Sequence, residues 1–135
     1  MATRAQGTFE VQITPEAPAA EMKGATVGRM SLSKRFHGDL DATGAGQMLA
    51  VGTDVDGSAG YVVMEQVTGT LHGRRGTFAL QHTGTMTRGT PQLRVTIVPD
   101  SGTEQLVGLA GIMTIDIVDG QHAYDVDYTL PQSQE

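Results

Sequence analysis

"EQVTGTLHGRRGTFALQH", residues 65–82, decides the fold of this chain. Two runs of alternating apolar and polar residues flank His72-Gly73-Arg74-Arg75, and a period of two is the signature of a half-buried strand. So short a turn makes the runs an antiparallel hairpin and fixes which residues meet. With Gly73-Arg74 as the central pair of a type II′ turn, Val67 faces Leu80, Gly69 faces Phe78, Val63 faces Gly84 and Tyr61 faces Met86. The other face sets Gln66 against Gln81, Thr68 against Ala79 and Thr70 against Thr77. Like meets like throughout, and on the apolar face Glu65 falls directly across from His82.

Working outward, further strands are expected at about 7–14, 27–37, 47–54, 60–71, 76–87, 92–98, 106–118 and 122–130. Turn chemistry separates them: Thr14-Pro15…Pro18, Gly38-Asp39, Thr43-Gly44-Ala45-Gly46, Asp56-Gly57, Arg88-Gly89-Thr90-Pro91, Pro99-Asp100-Ser101-Gly102 and Asp119-Gly120. Asp119-Gly120, a type I′ signal, pairs Ile117 with His122, Ile115 with Tyr124, Met113 with Val126 and Gly111 with Tyr128. A two-residue turn at Asp56-Gly57 sets Tyr61 over Gly52, Leu49 opposite Met64 and Val51 opposite Val62. The outer face of that last pair is apolar, which predicts a homo-oligomer joined through Leu49, Val51, Val62 and Met64. No stretch has helical periodicity of useful length. Eight strands at this spacing predict an all-β sandwich or barrel in one domain, residues 1–135, with 131–135 as a frayed tail.

Composition narrows the functional classes. The chain has 135 residues, no cysteine and a net charge of −6. Thiolate chemistry and cysteine-held metals are thereby excluded, and the acidic balance argues against nucleic acid. No apolar run reaches membrane-spanning or leader length, so a cytoplasmic protein without a membrane partner is expected.

Glu65 and His82 are the sharpest candidate site, expected to act as proton donor and acceptor on the inward face. Tyr61, Phe78, Tyr124 and Tyr128 share that inward side and are the expected ligand-binding residues. His37, His72 and His122 stand at strand ends or turns, without metal-ligand spacing, and read as solvated or capping histidines. Asp54, Asp56, Ser58 and Glu65 mimic a calcium loop, but Ala59 occupies the required glycine position and the flanks are strands. Gly44 and Gly46 lack the third glycine and the helix of a dinucleotide site. No cofactor and no metal are expected.

Three stretches carry a resemblance: Glu65–Gly84, "IVPDSGTEQLVGLAG" at 97–111, and "GQHAYDVDYTL" at 120–130. Over about half the chain they resemble an uncharacterised family of small bacterial proteins, whose members are similar in fold to allene oxide cyclases and dirigent proteins. The resemblance implies a closed eight-stranded antiparallel β-barrel, allene-oxide-cyclase-like and usually oligomeric. Allene oxide cyclases close a ring in a reactive substrate held in an apolar barrel, and none of their catalytic residues aligns with this chain. The expected function is therefore binding of a small hydrophobic molecule in the lumen, as a cofactor-independent isomerase or cyclase. The alternatives are a non-catalytic carrier or sensor, or a filled barrel that acts through its outer surface.

Overall fold

The computed structural model describes residues 2–16, 20–22 and 25–131. Its strands are β1 (Thr3–Pro15), β2 (Ala20–Met22), β3 (Ala25–Gly38), β4 (Leu40–Thr53), β5 (Ala59–Leu71), β6 (Arg74–Thr87), β7 (Thr90–Ile97), β8 (Ala110–Val118) and β9 (Gln121–Thr129). From β3 to β9 each strand pairs antiparallel with the next, and β1 closes the sheet between β9 and β3. The result is a closed eight-stranded antiparallel β-barrel. The short β2 continues along the edge of β3 that β1 leaves at Pro15. Of the expected tail only Pro131 is described; residues 132–135, and Pro18 of the first turn, lie outside the described residues.

Alternation sorts the side chains. On β5, Val63, Glu65 and Val67 point inward, while Val62, Met64 and Gln66 point out. Leu49, Val62 and Met64 are among the most exposed large apolar residues, and Val51 is half-buried beside them.

Two turns differ from expectation. Leu71 pairs with Arg74, so the β5–β6 turn is centred on His72-Gly73, with φ of 47° and 79°. Positive φ at both positions makes it type I′, whose twist suits a hairpin better than splayed alternatives, and histidine tolerates the left-handed region better than most residues. The register moves by two residues. Val67 now faces Phe78, Val63 faces His82 and Tyr61 faces Gly84. Because the shift is even, every side chain keeps its face. Likewise the β4–β5 connection spans residues 54–58, so Gly52 pairs with Ala59, Tyr61 with Ala50 and Leu49 with Val62. The Asp119-Gly120 turn has the expected type I′ signs of φ and the expected partners.

Two strand boundaries also move. Residues 43–46 continue β4 instead of turning: Gly44 and Gly46 face inward, where they leave space for neighbours. The last hairpin begins at Ala110, not 106, because Glu104–Leu106 winds into one 3₁₀ turn. Segment 98–109 folds against β6 through Val98 N–H to Ala79 C=O (2.9 Å), Thr103 N–H to Thr77 C=O (2.9 Å) and Arg75 N–H to the Gln105 amide oxygen (2.8 Å). It drives Leu106 and Leu109 into the barrel end as a cork. No helix among the described residues is long and apolar enough to cross a membrane.

Candidate functional site

The lumen has two unlike halves. Toward the cork it is solid: Phe36, Leu40, Val67, Leu71, Phe78, Leu80, Ile97, Leu106 and Leu109 interlock with almost no exposure. Toward the other end it opens into a cavity of about 810 Å³ whose walls include Phe9, Val11, Leu32, Met48, Tyr61, Val63, Met113 and Ile115. That volume lies within the range of small-molecule sites. The wall is weakest between β7 and β8, which pair only at Val95–Met113 and Thr96–Ile112. Beyond those rungs Leu93 and Ile117 flank the cavity from either side of the parted strands.

An ionic cluster marks the boundary between the halves. Glu65 Oε1 accepts from His82 Nε2 at 2.9 Å and from Lys34 Nζ at 3.0 Å, with all three side chains buried. Lys34 and His82 border the cavity, and Glu65 lies behind them. Glu65 and His82 are diagonal neighbours, one rung off the direct opposition expected, which longer side chains still bridge. Burial pushes the Glu65 carboxyl up. The His82 hydrogen bond and the charge and hydrogen bond of Lys34 outweigh it and hold the group below its usual range. Glu65 is therefore ionised, and an ionised carboxylate only accepts. Nε2 of His82 carries a proton in that bond, and whenever the ring has a single proton Nδ1 is the nitrogen that keeps a lone pair.

Lys34 reaches Glu65 across an intervening strand. It sits on β3 and Glu65 on β5, with β4 between, and strand spacing puts their backbones roughly 10 Å apart. The β4 residues paired with them, Gly44 and Gly46, carry no side chain to block the path. A methyl group at Gly44 would collide with Glu65 Oε2 and come within 3.2 Å of the Phe36 ring. That same Oε2 is buried without a hydrogen-bond partner among the described residues, a costly state that a site tolerates more readily than a core. The Lys34 ammonium also lies 4.8 Å from the centre of the Phe9 ring.

The four expected ligand residues separate. Tyr61 borders the cavity, and its ring lies over Gly84, where any side chain would strike it. This is the tyrosine-over-glycine arrangement read from the sequence, with Gly84 in place of Gly52. Burial raises the Tyr61 hydroxyl pKa, so it remains a proton-bearing donor. Phe78, Tyr124 and Tyr128 stand in the packed half and do not line the cavity. Tyr124 donates to the His37 carbonyl (2.8 Å) and accepts from the Leu40 N–H (2.9 Å), which ties β9 to the β3–β4 corner. Tyr128 is hydrogen-bonded to His72 Nδ1 at 2.6 Å and so braces the β5–β6 turn.

Among the histidines, His37 pairs with Glu10 at the surface and His72 belongs to its turn. His122 departs from its solvated reading: it lines the cavity and stacks on Phe9, with centroids 5.0 Å apart. Its parity with Tyr124, Val126 and Tyr128 already placed it on the inward face. Lys34 is a site residue that the sequence pattern alone does not single out. Its signal was a cation flanked in alternation by Leu32 and Phe36, opposite two glycines. With that ammonium on Glu65, the Glu65–His82 pair is a poor metal site, because a cation already holds the carboxylate.

Fold and site together define a meandering β-barrel sealed at one end, with a Lys–Glu–His cluster on the floor of a mostly apolar cavity. The chain belongs to the DUF3224 family of proteins of unknown function, whose match spans residues 5–128. It is similar to a crystal structure of a DUF3224 protein of unknown function from Shewanella oneidensis MR-1. The two are 46% identical over 98% of this chain and 100% of that one, with a TM-score of 0.93. No curated protein matches it.

Proposed function

We propose that this barrel binds a small hydrophobic molecule in its open half and moves a proton on it, as a cofactor-independent isomerase or cyclase. The observation that carries the reading is the position of His82 and Lys34: buried together on one carboxylate at the floor of a cavity of about 810 Å³ whose walls are mostly apolar, with Asp116 and His122 among the polar exceptions. Polar groups are expensive in such surroundings, and three charged or ionisable groups gathered there exceed what packing requires. An allene-oxide-cyclase-like origin fits this reading, since confinement beside a few polar groups suffices for ring closure or double-bond migration. Tyr61 would orient a substrate oxygen near the mouth.

Binding is tested with the apolar fluorophore N-phenyl-1-naphthylamine. Saturable fluorescence enhancement is expected, abolished when Val63→Trp fills the cavity. A wild-type protein that gives no saturable enhancement removes the ligand reading. Binding with no proton transfer to any bound ligand turns the reading to the alternative, a carrier or sensor. Glu65→Gln separates the two directly: retained affinity with lost turnover marks an enzyme, and equal loss of both marks a binder.

A further inference from the structure

Lys34 Nζ and His82 Nε2 bind the same Glu65 oxygen, at 3.0 and 2.9 Å, so these two nitrogens lie no further apart than the sum, about 6 Å, with Nδ1 across the imidazole ring from Nε2. Each keeps unused capacity. Lys34 Nζ has three N–H donors and one hydrogen bond, and His82 Nδ1 has no hydrogen-bond partner among the described residues. His82 Nδ1 is not sealed off as Glu65 Oε2 is, and both Lys34 and His82 border the cavity. The floor thus offers a positive hydrogen-bond donor and an imidazole lone pair, both anchored to one carboxylate, beneath mostly apolar walls.

We infer that the substrate is an apolar, enolisable carbonyl compound, with its oxygen on Lys34 Nζ and an α-carbon at His82 Nδ1. This rests on the proton-transfer reading above and names its substrate class. His82 Nδ1 takes the α-proton, and the C–H electron pair becomes the C=C bond of an enolate. The carbonyl π pair moves to oxygen, where the Lys34 ammonium stabilises the charge. The imidazolium then returns the proton, to the same carbon or, in an unsaturated ketone, to the γ-carbon with migration of the double bond. Nothing is oxidised or reduced and no group is lost. Lys34 and His82 are the catalytic residues. Glu65 is a positioning residue that fixes the His82 tautomer and holds the Lys34 ammonium at the floor.

The probe is 2-tetralone, a two-ring apolar ketone, with α-hydrogen exchange in D₂O followed by proton NMR. Wild type is expected to speed exchange about a hundredfold over buffer. Lys34→Met and His82→Gln should each lose most of that gain while still binding 2-tetralone by NMR titration. If Lys34→Met does not fold, Lys34→Arg keeps the charge but displaces the donor, and a loss of about tenfold or more is expected. For Glu65→Leu, ¹⁵N shifts should show the His82 proton no longer confined to Nε2, which loss of packing alone does not produce. Unaccelerated exchange of bound 2-tetralone overturns the inference and leaves the cavity reading standing. So does acceleration that persists in the Lys34 and His82 variants, or borohydride trapping of the ketone on Lys34, which marks imine chemistry. If 2-tetralone does not bind but N-phenyl-1-naphthylamine does, the carbonyl class is wrong. If neither binds, the cavity reading falls too.

Discussion

The two ends of this barrel are built on the same eight strands and differ in what the strands carry inward. At the corked end the inward positions hold Phe36, Leu40, Leu71, Phe78 and Leu80, and segment 98–109 adds Leu106 and Leu109 from outside the sheet. At the other end they hold Ala59, Val63 and Gly84 beside Leu32, Met48 and Tyr61, and the described residues leave a cavity of about 810 Å³ between them. An eight-stranded barrel is close to the size that side chains just fill. Modest changes in inward volume therefore decide between a core and a cavity. The Lys34–Glu65–His82 cluster sits at the crossing, backed by dry packing and faced by open space.

Phe78→Ala tests the solid half and carries the largest expected effect, a loss of about 3–5 kcal/mol by urea denaturation. Met48→Ala on the cavity wall should cost under about 1 kcal/mol, since its side chain is only half-buried. Equal losses would mean that both halves are packed alike in solution.

Glu65→Gln comes next, at about 1.5–3 kcal/mol near neutral pH, because an amide accepts more weakly and leaves Lys34 without its counter-charge. The pH dependence has a definite sign. Folding lowers the Glu65 pKa below its ordinary value of 4.5, so its contribution is complete above that pH and is lost as pH falls through the lower folded value. The wild type should lose stability in that acid window more steeply than Glu65→Gln. Parallel acid limbs would show that the carboxylate is not held ionised by its donors.

Gly44→Ala adds one methyl group against Glu65 Oε2, with an expected cost of about 1–3 kcal/mol. It changes no titratable group, so a displaced His82 resonance in NMR would report the cluster's dependence on bare space. An unmoved His82 would show that Glu65 has other room. Val62→Asp, on the outer face with Leu49 and Met64, should change stability by less than about 0.5 kcal/mol. Light scattering is expected to show a smaller particle than wild type, and the same monomer mass for both would remove self-association through this face.

Alternation made the faces legible without knowledge of the exact turns. The β5–β6 turn lies one position earlier than the hairpin pattern predicts, yet Glu65 and His82 still meet, because a two-residue shift preserves which way each side chain points. The Asp119-Gly120 turn is legible in the sequence because aspartate and glycine both suit positive φ. His72-Gly73-Arg74 offered two centrings. The choice involves contacts remote in sequence: Tyr128 on His72 Nδ1, and Asp39 C=O accepting from His72 N–H at 2.8 Å. The glycines of β4 misled for a related reason. A glycine that turns the chain and one that makes room for a neighbour look the same in a sequence.

By itself the sequence determined an all-β chain, the inward and outward sets, and the pairing of one acid with one histidine, since these depend on a period of two and on short turns. Tertiary structure alone decided where the lumen is empty, which tyrosine reaches it, and that Lys34 completes the cluster. Those outcomes depend on barrel closure and on reach across a strand to residues 31 positions away, distances that no local pattern encodes.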